Sequence, residues 1–68
     1  MNRDIKSLRI LVINDDHFIV QMILHILKKS EIKEIETAYN GFQGYQMMLK
    51  KDYDLIISDL NMPIMNGF

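Results

Sequence analysis

The sequence predicts an α/β fold in which short strands alternate with helices around a parallel sheet. Three observations carry that prediction. Residues 10–13 and 55–57 are apolar runs with hydrophobic side chains on both faces, the pattern of strands buried on both sides. Between them the period turns helical, with Val20, Ile23, Leu24 and Leu27 at i, i+3, i+4 and i+7. The resulting order of strand, helix, strand, helix, strand and loop defines right-handed βαβ units.

Each element has its own justification. Residues 1–7 are polar and mixed in charge, and read as a leader without structure of its own. Residues 8–13 form the first strand, which Asn14, Asp15 and Asp16 end abruptly. A helix over residues 17–29 follows; Asp15 or Asp16 can cap it, and Lys28 and Lys29 suit its negative C-terminal end. Residues 35–38 make a short second strand, and Tyr39, Asn40 and Gly41 supply turn chemistry. The second helix is predicted over residues 42–51, with Phe42, Tyr45, Met48 and Leu49 on its apolar side and Met47 and Met48 as core filler. Gly44 weakens that helix by up to about 1 kcal/mol relative to alanine. Residues 54–59 hold the third strand, and residues 60–68, with Pro63 and Gly67, read as loop.

Composition narrows the function. The chain has 68 residues, enough for one small domain or part of one. Eight basic residues against nine acidic ones give a net charge of −1, without the dense basic stripe that nucleic acid selects. Tyr39, Tyr45 and Tyr53 are too dispersed for a base-stacking platform. No apolar run approaches the roughly 20 residues of a membrane span, and the N-terminus lacks the apolar core of a signal peptide. No cysteine is present, which removes disulfides and thiolate metal sites and is compatible with the cytoplasm.

In parallel sheets ligands bind beyond the C-terminal ends of the strands. Asp15 and Asp16 follow the first strand and Asp59 closes the third, so three carboxylates converge if those strands are neighbours. Each has a plainer reading alone, the pair as a helix cap and Asp59 as turn chemistry. Together they repel one another, and a hard divalent cation such as Mg²⁺ relieves that repulsion. A carboxylate beside such a cation can serve as a nucleophile in phosphoryl transfer. His17 sits beside the acidic pair but reads as a solvated first-turn residue, and His25 as surface. Ile19, Met22 and Ile26 form a second apolar stripe on the first helix. It reads as packing against the leader or a further helix, with a dimer or kinase contact as the alternative.

The stretches LRILVINDDHFIVQMILHILKK, ETAYNGFQGYQMM and YDLIISDLNMPIMNGF resemble a response-regulator receiver domain, over nearly the whole chain from about Arg9 to Phe68. The resemblance implies a flavodoxin-like, receiver-type sheet, with residues 8–68 as a partial receiver. It implies Asp59 as the phosphoacceptor, taking its phosphoryl group from a histidine kinase or phosphotransfer protein. It further implies Asp16 as a direct Mg²⁺ ligand, Asp15 as a ligand through water or a support, and Asn61 as a backbone-carbonyl ligand. Asn14 takes a place where the family often has an apolar or acidic residue.

Receivers run to roughly 120 residues, with five strands and five helices. The family's Thr or Ser after the fourth strand and Lys after the fifth have no counterpart in residues 1–68, so phosphorylation of this chain is expected to be inefficient. In the family order 2-1-3-4-5 the third strand would be left as an exposed apolar edge, open to a homodimer or a completing segment. The resemblance thus implies a signalling phosphoacceptor and not a turnover enzyme. A metal-dependent phosphatase with an aspartyl nucleophile usually separates its two aspartates by one residue, whereas Asp15 and Asp16 are adjacent. A truncated receiver acting as an unphosphorylated interaction module is the alternative.

Overall fold

The computed structural model of the chain describes residues 5–58. A single 3-10 turn, Ile5–Ser7, leads into β1 (Arg9–Ile13), α1 (His17–Lys29), β2 (Glu34–Ala38), α2 (Gly41–Lys50) and β3 (Leu55–Ser58). The strands form one parallel sheet in the order β2–β1–β3. Ile13, the last residue of β1, pairs with Ala38 of β2 and Ser58 of β3, so the three strands end level.

β1 is the axis of the molecule because its side chains alternate between two apolar layers. Ile10 and Val12 pack with Val20, Ile23, Leu24 and Leu27 of α1, while Leu11 and Ile13 pack with Met47 and Met48 of α2. The two helices therefore cover opposite faces of the sheet, and Ile10, Leu11 and Val12 are fully enclosed. The double-sided apolar run in the sequence is this double burial.

Helix ends are set by local chemistry. Asp16 is the N-cap of α1, its side chain accepting from the amides of Phe18 and Ile19. At the other end Glu31 adopts a left-handed φ of 65°. Its N–H donates to Lys28 O and that of Ile32 to Leu27 O, which closes a Schellman motif and buries Ile32 against the α1 layer. At α2, Asn40 Oδ1 accepts the Gln43 N–H at 2.7 Å while Gln43 Oε1 accepts the Tyr39 N–H at 2.7 Å. This reciprocal pair is close to a capping box, with the return bond made one residue earlier. Asn40→Ala should cost about 1 kcal/mol in urea denaturation. An unchanged midpoint would show that packing alone holds the start of α2.

The structure corrects four expectations. Residues 5–7 of the leader are ordered as a 3-10 turn, and Lys6 pairs with Glu31 at 2.7 Å. β2 begins at Glu34, one residue earlier than predicted, because Arg9 pairs with it in the ladder. α2 starts at Gly41 and buries Gly41 and Gly44, with Met47 and Met48 packed on the core, while Phe42 is 56% and Leu49 69% exposed. The physical reason is close approach: Gly44 lies against Ile13, which turns the glycine face inward and rotates Phe42 and Leu49 out. In β3, Leu55 is 47% and Ile56 41% exposed, so this strand is not buried on both sides. Among the described residues it is a sheet edge, as the order 2-1-3 requires.

The opposite edge, β2, is polar and tied down. Glu36 accepts hydrogen bonds from Lys51 Nζ and from the Tyr53 hydroxyl, linking the strand to the α2–β3 connection. These bonds hold the Glu36 carboxyl below its usual range, whereas burial, and then the bond to Glu36, push the Tyr53 phenol up to about 12. A depressed carboxyl contributes stability above its unfolded value of 4.5, lost as pH falls through the folded value. A raised phenol contributes stability below 10.0, lost as pH rises toward about 12. Denaturation midpoints measured across pH should therefore fall at both extremes. Glu36→Gln should flatten the acid limb, and Tyr53→Phe the alkaline limb; limbs unchanged in both variants would show that other groups set them.

Candidate functional site

Level strand ends place the β1–α1 and β2–α2 turns at one end of the sheet. The β1–α1 turn is built residue by residue. Asn14, 6% exposed, extends the ladder by donating its N–H to Ala38 O at 3.1 Å. Its Oδ1 accepts the Asp16 N–H at 2.8 Å. Asp16 Oδ1 in turn accepts from Phe18 at 2.9 Å and Ile19 at 3.4 Å. Asp15 is exposed between these two fixed neighbours. His17 is exposed and, with Gln21, Thr37 and Tyr39, lines a crevice of about 80 Å³ between α1 and the end of β2. His25 is exposed, as expected.

Asp15 and Asp16 are thus brought together at the ligand end of the sheet. Asp59 and Asn61 lie outside the described residues, as do Pro63 and Gly67. Among the described residues no group of three or more His, Cys, Asp or Glu side chains could hold a metal ion. The donors that are described nevertheless suit Mg²⁺: adjacent carboxylates at a strand end, one with an oxygen outside the helix cap. In the sequence Asn14 stands only as a departure from the family pattern, and the Asn40–Gln43 pair is unread. The Asn-x-x-Gln spacing could have revealed the second.

Exposed apolar side chains flank this end and the outer face of α1. Phe18 is 83% exposed, Met22 and Ile26 are each 57% exposed and Ile19 is 36% exposed, so the second stripe on α1 is uncovered among the described residues. No helix among them is long and apolar enough to cross a membrane.

An open parallel sheet with helices on both faces and acidic residues beyond its first strand defines a doubly wound α/β domain of the flavodoxin-like type. Within that class the chain belongs to the response regulator receiver domain family, which matches residues 10–68. It is 39% identical over 59 residues to the hybrid signal transduction histidine kinase F of Dictyostelium discoideum, covering 87% of this chain and 5% of that protein. It is likewise 39% identical over 61 residues to the cell cycle response regulator CtrA of Brucella ovis, covering 90% of this chain and 26% of that one. The solved structure of the chemotaxis response regulator CheY4 of Vibrio cholerae superposes with a TM-score of 0.78 at 38% identity. That match covers 90% of this chain and 50% of the CheY4 chain. The chain therefore spans about a quarter or less of these two curated relatives and half of the solved chain. It is the N-terminal portion of a receiver, a signalling domain of two-component systems.

Proposed function

We propose that the chain is a cytoplasmic phosphoacceptor module in which Asp59 takes a phosphoryl group from a histidine kinase or phosphotransfer protein. Mg²⁺ would be held by Asp15, Asp16, Asp59 and the backbone carbonyl of Asn61. The observation that carries this reading is the register of Ile13 with Ser58, the residues that immediately precede the acidic turn and Asp59 in the chain. When bound, Mg²⁺ neutralises charge on the carboxylates and on the transferring phosphoryl oxygens. A carboxylate oxygen of Asp59 forms the new P–O bond as the donor's P–N bond breaks, and the imidazole leaves with the electron pair. Asp16 Oδ1 is committed to the α1 amides. The second carboxylate oxygen of Asp16 lies outside that cap, so Asp16 serves as the direct ligand, with Asp15 acting through water or in support.

The test is incubation with acetyl phosphate and Mg²⁺ followed by intact-mass analysis, beside an amide NMR titration with Mg²⁺. Slow gain of one phosphate together with saturable shifts at Asp15 and Asp59 supports the reading. A second reading, an unphosphorylated interaction module that pairs with a second copy or a completing segment, draws on the exposed Leu55 and Ile56 of β3. Absence of both phosphate and Mg²⁺ response, with concentration-dependent association, would favour it.

A further inference from the structure

We infer that the outer face of α1 is a self-association surface, on which a second copy of this chain packs its own α1 antiparallel. The inference stands apart from the phosphoacceptor reading and needs neither cation nor phosphoryl group. Val20, Ile23, Leu24 and Leu27 turn one side of the helix to the sheet. On the other side Phe18, Met22 and Ile26 form an exposed i, i+4, i+8 row, with Ile19 on its flank. Such a row is the ridge through which two helices interlock. A stripe this apolar marks an interaction surface, and among the described residues nothing covers it.

Charge at the two ends of the row selects the occupant and its direction. Residues 17–27 hold no Asp, Glu, Lys or Arg. Asp15 and Asp16 stand exposed at the N-terminal end, and Lys28 and Lys29 stand exposed at the C-terminal end. Neither lysine has an ion-pair partner among the described residues. A two-fold axis at Met22 lays the row on itself, with Phe18 against the partner's Ile26 and Met22 against the partner's Met22. The same register sets Asp15 opposite the partner's Lys29 and Asp16 opposite the partner's Lys28, and each contact occurs twice in the dimer. Antiparallel helix dipoles add to this attraction, whereas a parallel pair would set like charges together at both ends. The face is complementary to itself in one direction only. An interface one helix long is small, so the dimer is weak and exchanges with the monomer.

Sedimentation equilibrium of the full chain in Mg²⁺-free buffer, over a wide range of concentration, tests this. Wild type should associate with itself, and less so as salt is raised, because exposed charges are screened. Met22→Glu sets two carboxylates on the axis and should weaken association by roughly 10-fold or more. Asp15→Lys and Lys29→Glu should each weaken it by roughly 3- to 10-fold. An equal mixture of those two variants should associate more tightly than either alone, since the heterodimer restores both opposite-charge contacts. Ile56→Lys, on the β3 edge, should leave association unchanged. A chain that stays monomeric at every concentration would overturn the inference and leave the row to a different partner. So would wild-type association in a folded Met22→Glu variant. A loss confined to Ile56→Lys would move the contact to β3 and overturn it as well. If Met22→Glu fails to fold, the mixture decides, and no gain over the separate variants overturns the antiparallel dimer.

Discussion

Gly44→Ala should destabilise the chain by about 1–2 kcal/mol, although alanine is the better helix former by up to about 1 kcal/mol. A Cβ at position 44 would lie 2.5 Å from Ile13 Cδ1 and 3.0 Å from its Cγ1. Ile13 is 4% exposed and packed in the α2 layer, so it has little room to withdraw. The clash involves one side chain, and this makes the prediction specific. Ile13→Val removes the methyl nearest to the new Cβ and on its own costs about 0.5–1.5 kcal/mol. In the double variant much of the cost of Gly44→Ala should disappear, a coupling on the order of 1 kcal/mol, readable from urea midpoints of the four proteins in the cycle. Strict additivity would show that Ile13 does not set the spacing between α2 and the sheet. For a chain of 68 residues, which buries only roughly 60% of its unfolded surface, a loss of this size is a large share of total stability.

Asp59→Asn should abolish the gain of phosphate from acetyl phosphate, the largest functional effect of any single substitution in the chain. The carboxamide is uncharged and is not the nucleophile that a carboxylate is. Asp59→Glu keeps the charge but displaces the reacting oxygen by about one methylene, and misplacement on the order of 1 Å can cost roughly 100-fold in rate. Intact-mass analysis over time distinguishes the three proteins. Phosphate gained by Asp59→Asn at the wild-type rate would move the acceptor elsewhere and sink the proposal. Adding Asp15→Asn and reading the set by Mg²⁺ titration separates loss of the nucleophile from loss of a ligand, since Asp15→Asn should weaken Mg²⁺ binding while leaving Asp59 in place.

Much of this was legible from local pattern. The double-sided run at residues 10–13, the helical spacing from Val20 to Leu27 and the Asp-Asp turn between them place β1 and α1 within a residue of their observed limits. They do so because burial on two faces and a 3.6-residue period each leave a trace in consecutive residues. The acidic turn was legible for the same reason, as charged residues directly after a buried strand.

The inner face of α2 was not legible. Phe42, Tyr45, Met48 and Leu49 satisfy the helical period, yet Phe42 and Leu49 lie outside while Gly41 and Gly44 lie inside. A glycine reads as a weakness in one dimension; its value as a surface for close approach exists only once Ile13 stands opposite. The roles of the three residues after β1 were likewise undecided in sequence, where either aspartate could cap the helix. Tertiary placement contributed, because the Asn14 amide meets Ala38 only in the assembled sheet; with residue 14 held there, Asp16 and not Asp15 caps α1, while both acids stay exposed. Element order and type are written in short-range periodicity. Which face of α2 is buried depends on distances between segments far apart in the chain, and those exist only after folding.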